Sequence, residues 1–429
     1  MTDTRTTAVV CGDLNMLRCF VGSRVPTIAV CNTPDDVTLA SRHARNGRVI
    51  TGPRSDPRAC VEDLLEIGRE CALRPVLYYA DDGMLLAISR DRDRLAEHFR
   101  FLLPEARLVE DLADKTRFVE LAGRYGLSTP RTVSSREAAG AAEIVQRLSL
   151  PVVLKPNSHI NWFTSSIVLA TGGEPRKALV ADTVAELQRF YDALRTCCDD
   201  FVIQEYVPGG DNCIYSFHAY YDAHSRPLAW YVGRKLRTFP KGAGVSTYLA
   251  LAREPRVARL SMETLERLAF VGPVKIDLKM NERTGELSVL EINPRFTLWN
   301  HLGAACGVNL PLTAQADLMG EPVPVWRGYR TSVRWLSFEQ DFKSFLRHYR
   351  RHGDLSWRSW LASFVRPKVY DVLSWDDLRP LMMYAVAFVS LRVRKLSASC
   401  RRVLRRAGRR PVEPIRDIGT SALVRGVMK

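Results

Sequence analysis

The stretch Leu287-Ser-Val-Leu-Glu-Ile-Asn-Pro-Arg-Phe296 has the composition of a β-strand that ends in an Asn-Pro-Arg step. It carries an acid, Glu291, and an amide, Asn293, two positions apart. Because successive side chains of a strand point to opposite faces, these two share one face, while Leu290 and Ile292 point to the other. The stretch therefore predicts a strand that presents two oxygen-bearing side chains on one surface.

A second β-like run, Val274-Lys-Ile-Asp-Leu278, precedes this strand and contains Asp277. The segment Asn281-Glu-Arg-Thr-Gly285 between the two runs has the composition of a hairpin turn. A hairpin places Asp277 opposite Glu291. The two carboxylates and the following amide then form the hard oxygen set that Mg²⁺, or Mn²⁺, prefers when nucleotide phosphates also hold the ion. Arg295, just past the strand, is placed to contact a phosphoryl group.

Length and composition describe an ordinary globular protein. The 429 residues are too many for one hydrophobic core and predict two or three domains. A hydrophobic content of 46% and a charged content of 25% are usual for such proteins. The sequence shows no signal peptide, and its ten cysteines are scattered without a C-x-x-C pair. These features predict reduced thiols and a cytoplasmic location.

The net charge of +15 belongs to the last quarter of the chain. From Arg327 onward there are 23 Lys and Arg against 8 Asp and Glu, so the preceding residues are balanced. An apolar run, Leu381–Leu391, is too short to span a bilayer, and a run without acids follows it from Arg392 to Arg410. This pattern favours an anionic membrane surface over nucleic acid, with a tail that is merely solvated as the alternative.

The pattern of strands and helices predicts four segments. Strands alternate with helices at first, which is typical of a parallel, doubly wound sheet. The G-x-G-x-x-G motif is absent, so the sequence does not predict a dinucleotide site there. Antiparallel strands follow, and a tryptophan-rich, basic, mostly helical region comes last. We predict an α/β domain at 1–95, an α+β domain at 96–320, a helical extension at 321–378 and a basic amphipathic tail at 379–429.

Basic residues on two predicted strands suggest phosphate contacts. Lys155 interrupts an apolar strand, where an ammonium group is costly to bury unless it pairs with an anion. Lys235 and Arg237 share one face of another strand, ahead of the glycine-containing loop 241–247, and suit a phosphoryl oxyanion. Taken alone, Lys155 is more typical of an exposed strand end, whereas Lys235 and Arg237 are equally compatible with a solvated strand.

A polar turn suggests a place for a nucleoside. The strand that ends at Glu205-Tyr-Val207 leads into a Pro-Gly-Gly turn and could present backbone groups to an adenine edge. Asp211 or Asn212, just past the turn, could accept hydrogen bonds from ribose hydroxyls. Taken alone, the segment is an ordinary turn.

The order of these features resembles the ATP-grasp superfamily over roughly residues 90–310, with Glu291-Ile-Asn-Pro-Arg295 as its most specific motif. The resemblance implies an α/β domain followed by an α+β ATP-grasp fold of two subdomains with antiparallel sheets, then the basic, mostly helical extension. It implies ATP and Mg²⁺ as cofactors. The implied roles are phosphate binding by Lys115 and Lys155; adenine binding by Gln204, Glu205, Tyr206 and Val207; ribose binding by Asp211 or Asn212; metal binding by Asp277, Glu291 and Asn293; and phosphoryl contact by Lys235, Arg237 and Arg295.

Within the superfamily, four features resemble the carboxylate–amine ligases that include D-aspartate ligases. They are Arg90–Leu95 before a Phe-rich stretch, Asp114-Lys115, Arg234-Lys-Leu-x-x-Phe-Pro240, and Asp-Asp-x-x-Pro at Asp376–Pro380 in a Trp-rich tail. This likeness implies an amide formed through an acyl phosphate from a small-molecule carboxylate and an amine, with an amino acid joined to a cell-envelope precursor at the inner membrane face. A phosphotransferase or carbamoyl-phosphate-type enzyme is one alternative, and a membrane-surface binding module with an ATP-binding fold is another. The loop 157–166 departs from the superfamily because it has no glycine to close over phosphates.

Overall fold

The computed structural model describes residues 6–157, 178–196, 198, 200–242 and 244–390. The glycine-free loop lies outside the described residues from 158 onward, and the basic run lies outside them from 391 onward. Residues 1–380 form one compact unit, and residues 381–429 form a second. Nowhere in the described part of the chain is a helix both long enough and apolar enough to cross a membrane.

The N-terminal part contains a parallel four-stranded sheet in the order β3-β2-β1-β4, as the alternating pattern predicts. Its buried strands, rich in valine and tyrosine, pack against amphipathic helices to form one hydrophobic core. Asp56 and Asp81 cap two of these helices by accepting hydrogen bonds from backbone N–H groups. The strands are β1 (Ala8–Cys11), β2 (Thr27–Cys31), β3 (Asn46–Val49) and β4 (Val76–Tyr79). The helices are Leu14–Leu17, Pro57–Glu70, Asp82–Arg90, Arg92–His98 and Ala106–Ala113.

A second, antiparallel sheet follows in the order β5-β8-β6-β7. The helix Lys115–Tyr125 leads into it. Asp114 caps its first turn, and Gly126 ends it at φ +59°, a conformation that glycine adopts without strain. The strands are β5 (Thr132–Ser134), β6 (Val152–Pro156), β7 (Leu179–Ala181) and β8 (Phe201–Glu205). The other helices are Ala141–Arg147 and Val184–Arg195.

The third sheet has seven strands in the order β13-β12-β9-β10-β11-β14-β15. The helix Pro255–Arg267 packs on one face in an apolar core, while the other face carries polar side chains near its centre. The helices Trp299–Ala305 and Leu310–Met319 join this sheet to the N-terminal sheet through a shared core. The strands are β9 (Ile214–Tyr221), β10 (Pro227–Phe239), β11 (Val245–Leu251), β12 (Gly272–Met280), β13 (Leu287–Asn293), β14 (Arg334–Leu336) and β15 (Lys368–Tyr370).

The segment 321–378 is less helical than the sequence predicts. It supplies the helices Phe338–Ser344 and Trp357–Ala362, with a π-helical turn at Phe345–Tyr349, but also the strands β14 and β15. These strands extend the third sheet beyond β11, where they pair with backbone groups that would otherwise lie open at the sheet edge. The prediction missed them because three-residue strands have no detectable periodicity.

A buried ion pair fastens this segment to the sheet. Arg237 on β10 donates two hydrogen bonds to the carboxylate of Asp341, at 2.7 and 2.8 Å, and both side chains are almost completely buried. Thr247 and Trp360 donate to the same carboxylate. Four donors therefore satisfy one buried acid, and the pair is well placed to stabilise the fold.

We expect Asp341→Asn to lower the free energy of unfolding by about 3–5 kcal/mol, because it leaves the Arg237 guanidinium buried without a counter-charge. Urea denaturation followed by tryptophan fluorescence measures this. Glu62→Gln is the matched control, since Glu62 pairs with Arg94 on the exposed surface, and it should not shift the transition. An Asp341→Asn protein as stable as the wild type would contradict the assignment.

Candidate active site

The predicted hairpin is present and sets the two carboxylates opposite each other. Strands β12 and β13 are antiparallel, and their register pairs Asp277 with Glu291 and Lys275 with Asn293. Gly285 closes the turn at φ +74°, donating from its N–H to the carbonyl of Asn281 at 2.8 Å. Two acids and an amide therefore lie side by side on rigid neighbouring strands.

A β-bulge next to the pair changes the predicted alternation of side chains. The register shifts after Asp277, so that Leu278 pairs with Val289 and Leu290 is the extra residue. As a result, Val289 and Ile292 lie in the same buried core, and the prediction that Leu290 occupies that face is wrong. Bulges of this kind re-aim side chains near functional sites.

Two lysines hold the first carboxylate in its charged form. Asp277 is only 5% exposed, and its Oδ2 lies 2.7 Å from Nζ of Lys275 and 3.5 Å from Nζ of Lys235. The hydroxyl of Ser216 also donates to it. Burial alone would raise the pKa of Asp277, but the two ammonium groups outweigh burial and hold that pKa well below its usual range.

The second carboxylate is also ionised. Burial tends to raise the pKa of Glu291, yet the charge of Lys275 and a hydrogen bond from Asn293 Nδ2 at 2.9 Å lower it to about 2. The amide thus presents its nitrogen to Glu291. Rotation of the amide by half a turn would present its oxygen to a cation instead. The three side chains together form an anionic set of oxygen donors.

Two lysines, Lys155 on the second sheet and Lys115 at the start of a helix, lie near this pair of carboxylates. Lys155 on β6 donates to Oε1 of Gln204 at 2.8 Å. Burial lowers the pKa of Lys155 to about 8; the charge of Glu291 opposes this shift, and those of Lys115 and Lys279 add to it. Lys115 donates from Nζ to the carbonyl of Asn157 at 3.3 Å. Several like charges therefore share one region, which favours a bound anion.

The predicted adenine hinge has an open backbone. The amides of Glu205 and Tyr206 donate to the carbonyls of Arg131 and Pro151, at 2.9 and 3.0 Å. By contrast, the backbone of half-buried Val207 makes no hydrogen bond with any residue that the structure describes. The N–H of Val207 is thus available to a planar ring acceptor.

The two ribose candidates differ in their surroundings. Asp211 is buried and accepts hydrogen bonds from the Gly242 amide, at 3.1 Å, and from the Tyr349 hydroxyl. Asn212 is exposed, and its carbonyl accepts from Arg234. Asp211 therefore braces the turn, while the Asn212 side chain has room for a ligand.

The structure brings two of the three phosphoryl-contact candidates to the site and separates the third. Lys235 lies beside Asp277. Arg295 donates to Asp82 and, at 3.1 Å, to the carbonyl of Ala80, which follows β4 of the parallel sheet. Arg237, by contrast, is committed to its buried ion pair. Irregular pairing of β10 with β11 on either side of Arg237 breaks the simple alternation that grouped it with Lys235.

Three residues at the site were missed from the sequence. Lys275 and Lys279 flank Asp277 at intervals of two on β12, a spacing that puts all three on one face and could have revealed both lysines. Ser216 on β9 is paired with Asp277 only by the sheet register, which carries no local signal.

Comparisons with known proteins relate the chain to a ligase in sequence. No protein-family model matches the chain. Its sequence is 27% identical over 264 residues to a D-aspartate ligase of Enterococcus faecium (strain Aus0004). This match covers 58% of the chain and 61% of the ligase, so the chain spans less than two thirds of that relative.

Two solved structures are similar in fold at low sequence identity. The N5-carboxyaminoimidazole synthetase of Staphylococcus aureus, crystallised with ADP, has a TM-score of 0.58 at 13% identity, covering 76% of this chain and 80% of that one. An L-amino acid ligase of Bacillus licheniformis has a TM-score of 0.54 at 13% identity, covering 73% and 74%.

The fold is therefore that of the ATP-grasp enzymes, as the Glu-x-Asn-Pro-Arg motif predicts. Within that fold, the sequence similarity to a D-aspartate ligase confirms the predicted resemblance to the carboxylate–amine ligase group.

Proposed function

We propose that this chain is an ATP- and Mg²⁺-dependent carboxylate–amine ligase that forms an amide through an acyl phosphate. The observation that carries the proposal is the cluster of ammonium groups around the buried Asp277–Glu291 pair. Cations outnumber acids there, and a polyanion would neutralise the excess. The cluster consists of Lys115, Lys155, Lys235, Lys275 and Lys279.

The oxygen donors of the carboxylate pair fit a magnesium ion. Asp277 and Glu291 face each other across the hairpin, both ionised, and the Asn293 amide completes the set after rotation. These three residues would hold the ion, which would supply positive charge to offset the negative charge that develops during phosphoryl transfer. The nucleotide base would occupy the open hinge at Val207.

The chemistry would take place beside Lys235 and Arg295. A carboxylate oxygen of the first substrate attacks the γ-phosphorus, and ADP leaves. The amine nitrogen then attacks the acyl carbon, a C–N bond forms, phosphate leaves, and the amine proton passes to solvent. No protein nucleophile is required, because the two cations position and stabilise the transferring group.

The position of Arg295 suggests where the first substrate binds. This arginine joins the third sheet to the turn after β4 through Asp82 and Ala80. Ligands of parallel sheets bind outside the carboxyl ends of the strands, and this turn lies at such an end. We therefore propose that the substrate carboxylate binds beside Arg295 at the β4 turn.

Similarity to a D-aspartate ligase supports an amino acid as one of the two substrates. We propose a cell-envelope precursor as the other. The rival function is a phosphotransferase, or a carbamoyl-phosphate-type enzyme, on the same fold. A coupled assay separates them, because a ligase releases inorganic phosphate only when an amine is supplied, whereas a phosphotransferase leaves a phosphorylated product.

We expect Glu291→Gln to reduce ADP formation at least about 100-fold, because the variant loses a charged metal ligand. A steady-state assay of ADP release with a panel of amino acids and amines measures this. Glu286→Gln changes an exposed acid of the same hairpin turn and should retain wild-type activity. Undiminished ATP turnover by Glu291→Gln would refute the metal-ligand role.

We also expect a pH dependence from Lys155. Because burial lowers its pKa to about 8, its ammonium is present below that pH and is lost above it. The affinity for ADP should therefore be constant up to about pH 7.5 and fall by up to about tenfold per pH unit above pH 8. Calorimetric titrations measure this. Lys155→Arg keeps its charge and should give a flat profile, and a flat wild-type profile would contradict the assignment.

The C-terminal segment supports a further proposal, that the protein lies at an anionic membrane surface. The chain is helical from 379 to 390, and Met382, Val386 and Val389, spaced along one face, are exposed. The basic run 392–410 follows in the sequence. An apolar helix face followed by cations is the pattern of an interfacial anchor.

We expect the full chain to float with vesicles that contain phosphatidylglycerol and not with pure phosphatidylcholine, and to be released in about 0.5 M salt. A chain that ends at residue 378 should not float, yet should retain ADP formation. Equal flotation of the two chains would contradict an anchoring role for the tail. If the shortened chain floated as the full chain does but lost ADP formation, the tail would belong to the catalytic unit instead.

A further inference from the structure

Lys279 is a buried cation without an anionic partner. It is 7% exposed, and its Nζ lies 4.1 Å from the centroid of the Tyr206 ring. Among the described residues, its ammonium group forms neither a hydrogen bond nor an ion pair within 4.0 Å. The nearest lysines of the site differ from it, since Lys155 donates to Gln204 and Lys275 contacts Asp277.

Such an arrangement costs stability unless a ligand compensates it. Removing an ammonium group from water is strongly unfavourable, and an aromatic face returns only part of that free energy. Burial lowers the pKa of Lys279, and the nearby Cys213, Asp211 and Glu282 oppose that shift. Neither carboxylate contacts the amine. The side chain is therefore held ready for an anion that the protein itself does not supply.

The position of Lys279 on β12 indicates which anion that is. It lies two residues from Asp277 on the same strand face, a separation of about 7 Å, on the side toward the hinge. The hinge loop contacts this end of the strand, because Glu282 donates from its N–H to the Pro208 carbonyl at 3.1 Å. Lys279 thus lies between the metal-binding carboxylates and the base-binding segment.

We propose that Lys279 binds the α-phosphate of the nucleotide. The proposal rests on the proposed function, which runs the triphosphate from the hinge to the carboxylate pair. The α-phosphate is the anionic group nearest the base. The Tyr206 ring holds the ammonium group in place, so that a hinge side chain, although predicted to act through its backbone, also positions a phosphate ligand.

The test compares AMP with adenosine, which differ by the α-phosphate alone. Both compete with a fluorescent ATP analogue for the full-length protein in the absence of metal. We expect Lys279→Met to weaken AMP binding by about 10–100-fold, the range of a charge-assisted hydrogen bond, while adenosine binding stays the same. Arg283→Met removes a cation from the exposed turn between β12 and β13, outside the site, and should leave both affinities unchanged.

Thermal unfolding of the nucleotide-free protein gives a second measurement. Because Lys279→Met removes an uncompensated buried charge, it should raise the melting temperature. A structural role through the Tyr206 ring predicts a lower melting temperature and an equal loss of AMP and adenosine affinity, and this result would overturn the proposal. Retention of AMP affinity by Lys279→Met would also overturn it.

The same binding measurements separate an error in the role of Lys279 from an error in the proposed nucleotide site. A wild-type protein that does not bind the ATP analogue refutes the nucleotide site as a whole. A wild-type protein that binds the analogue and AMP, together with a Lys279→Met variant that binds AMP equally well, refutes only the role of Lys279.

Discussion

The arrangement of the site depends on the electrostatic balance around Asp277. Two carboxylates buried side by side would repel each other and take up protons, but Lys235 and Lys275 keep them ionised. The opposite face of β12 is apolar and packs in an ordinary core. A strand with one ionic and one apolar face can bury only the apolar one cheaply, so the ionic face is left to line a binding site.

The cations come from separate parts of the fold. Lys155 belongs to the second sheet, Lys275 and Lys279 to the third, and Lys115 begins a helix. An anion bound among these cations would offset their mutual repulsion. The charges for which we propose nucleotide binding therefore weaken the ligand-free protein, as is common where function requires a strained site. Salt screens this cluster less than a surface cluster, because Lys235, Lys275 and Lys279 are only 14%, 13% and 7% exposed.

Local signals made the centre of the site predictable. Hairpin register, helix capping at Asp114 and Gly126, and the alternation of strands with helices all follow from short-range sequence. The features that the sequence did not predict depend on residues that are distant along the chain. The bulge at Leu290 is a property of two strands in register, and β14 and β15 form only because the edge of β11 is open. The roles of the fourteen candidate residues follow from the superfamily resemblance, and the structure shows their placement rather than their chemistry.

Arg237 illustrates how a distant segment reassigns a residue. Two positions from Lys235 on β10, it would share the ionic face if the strand were regular, but its partner Asp341 lies 104 residues further along the chain. The same segment supplies Tyr349, whose hydroxyl donates to Asp211, while Asp211 accepts from Gly242. The turn after the hinge and the glycine loop after β10 are thus held together through Tyr349. The segment 334–371 therefore stabilises two loops that border the candidate site. Its strands and its buried ion pair hold the segment in the position from which Tyr349 reaches those loops.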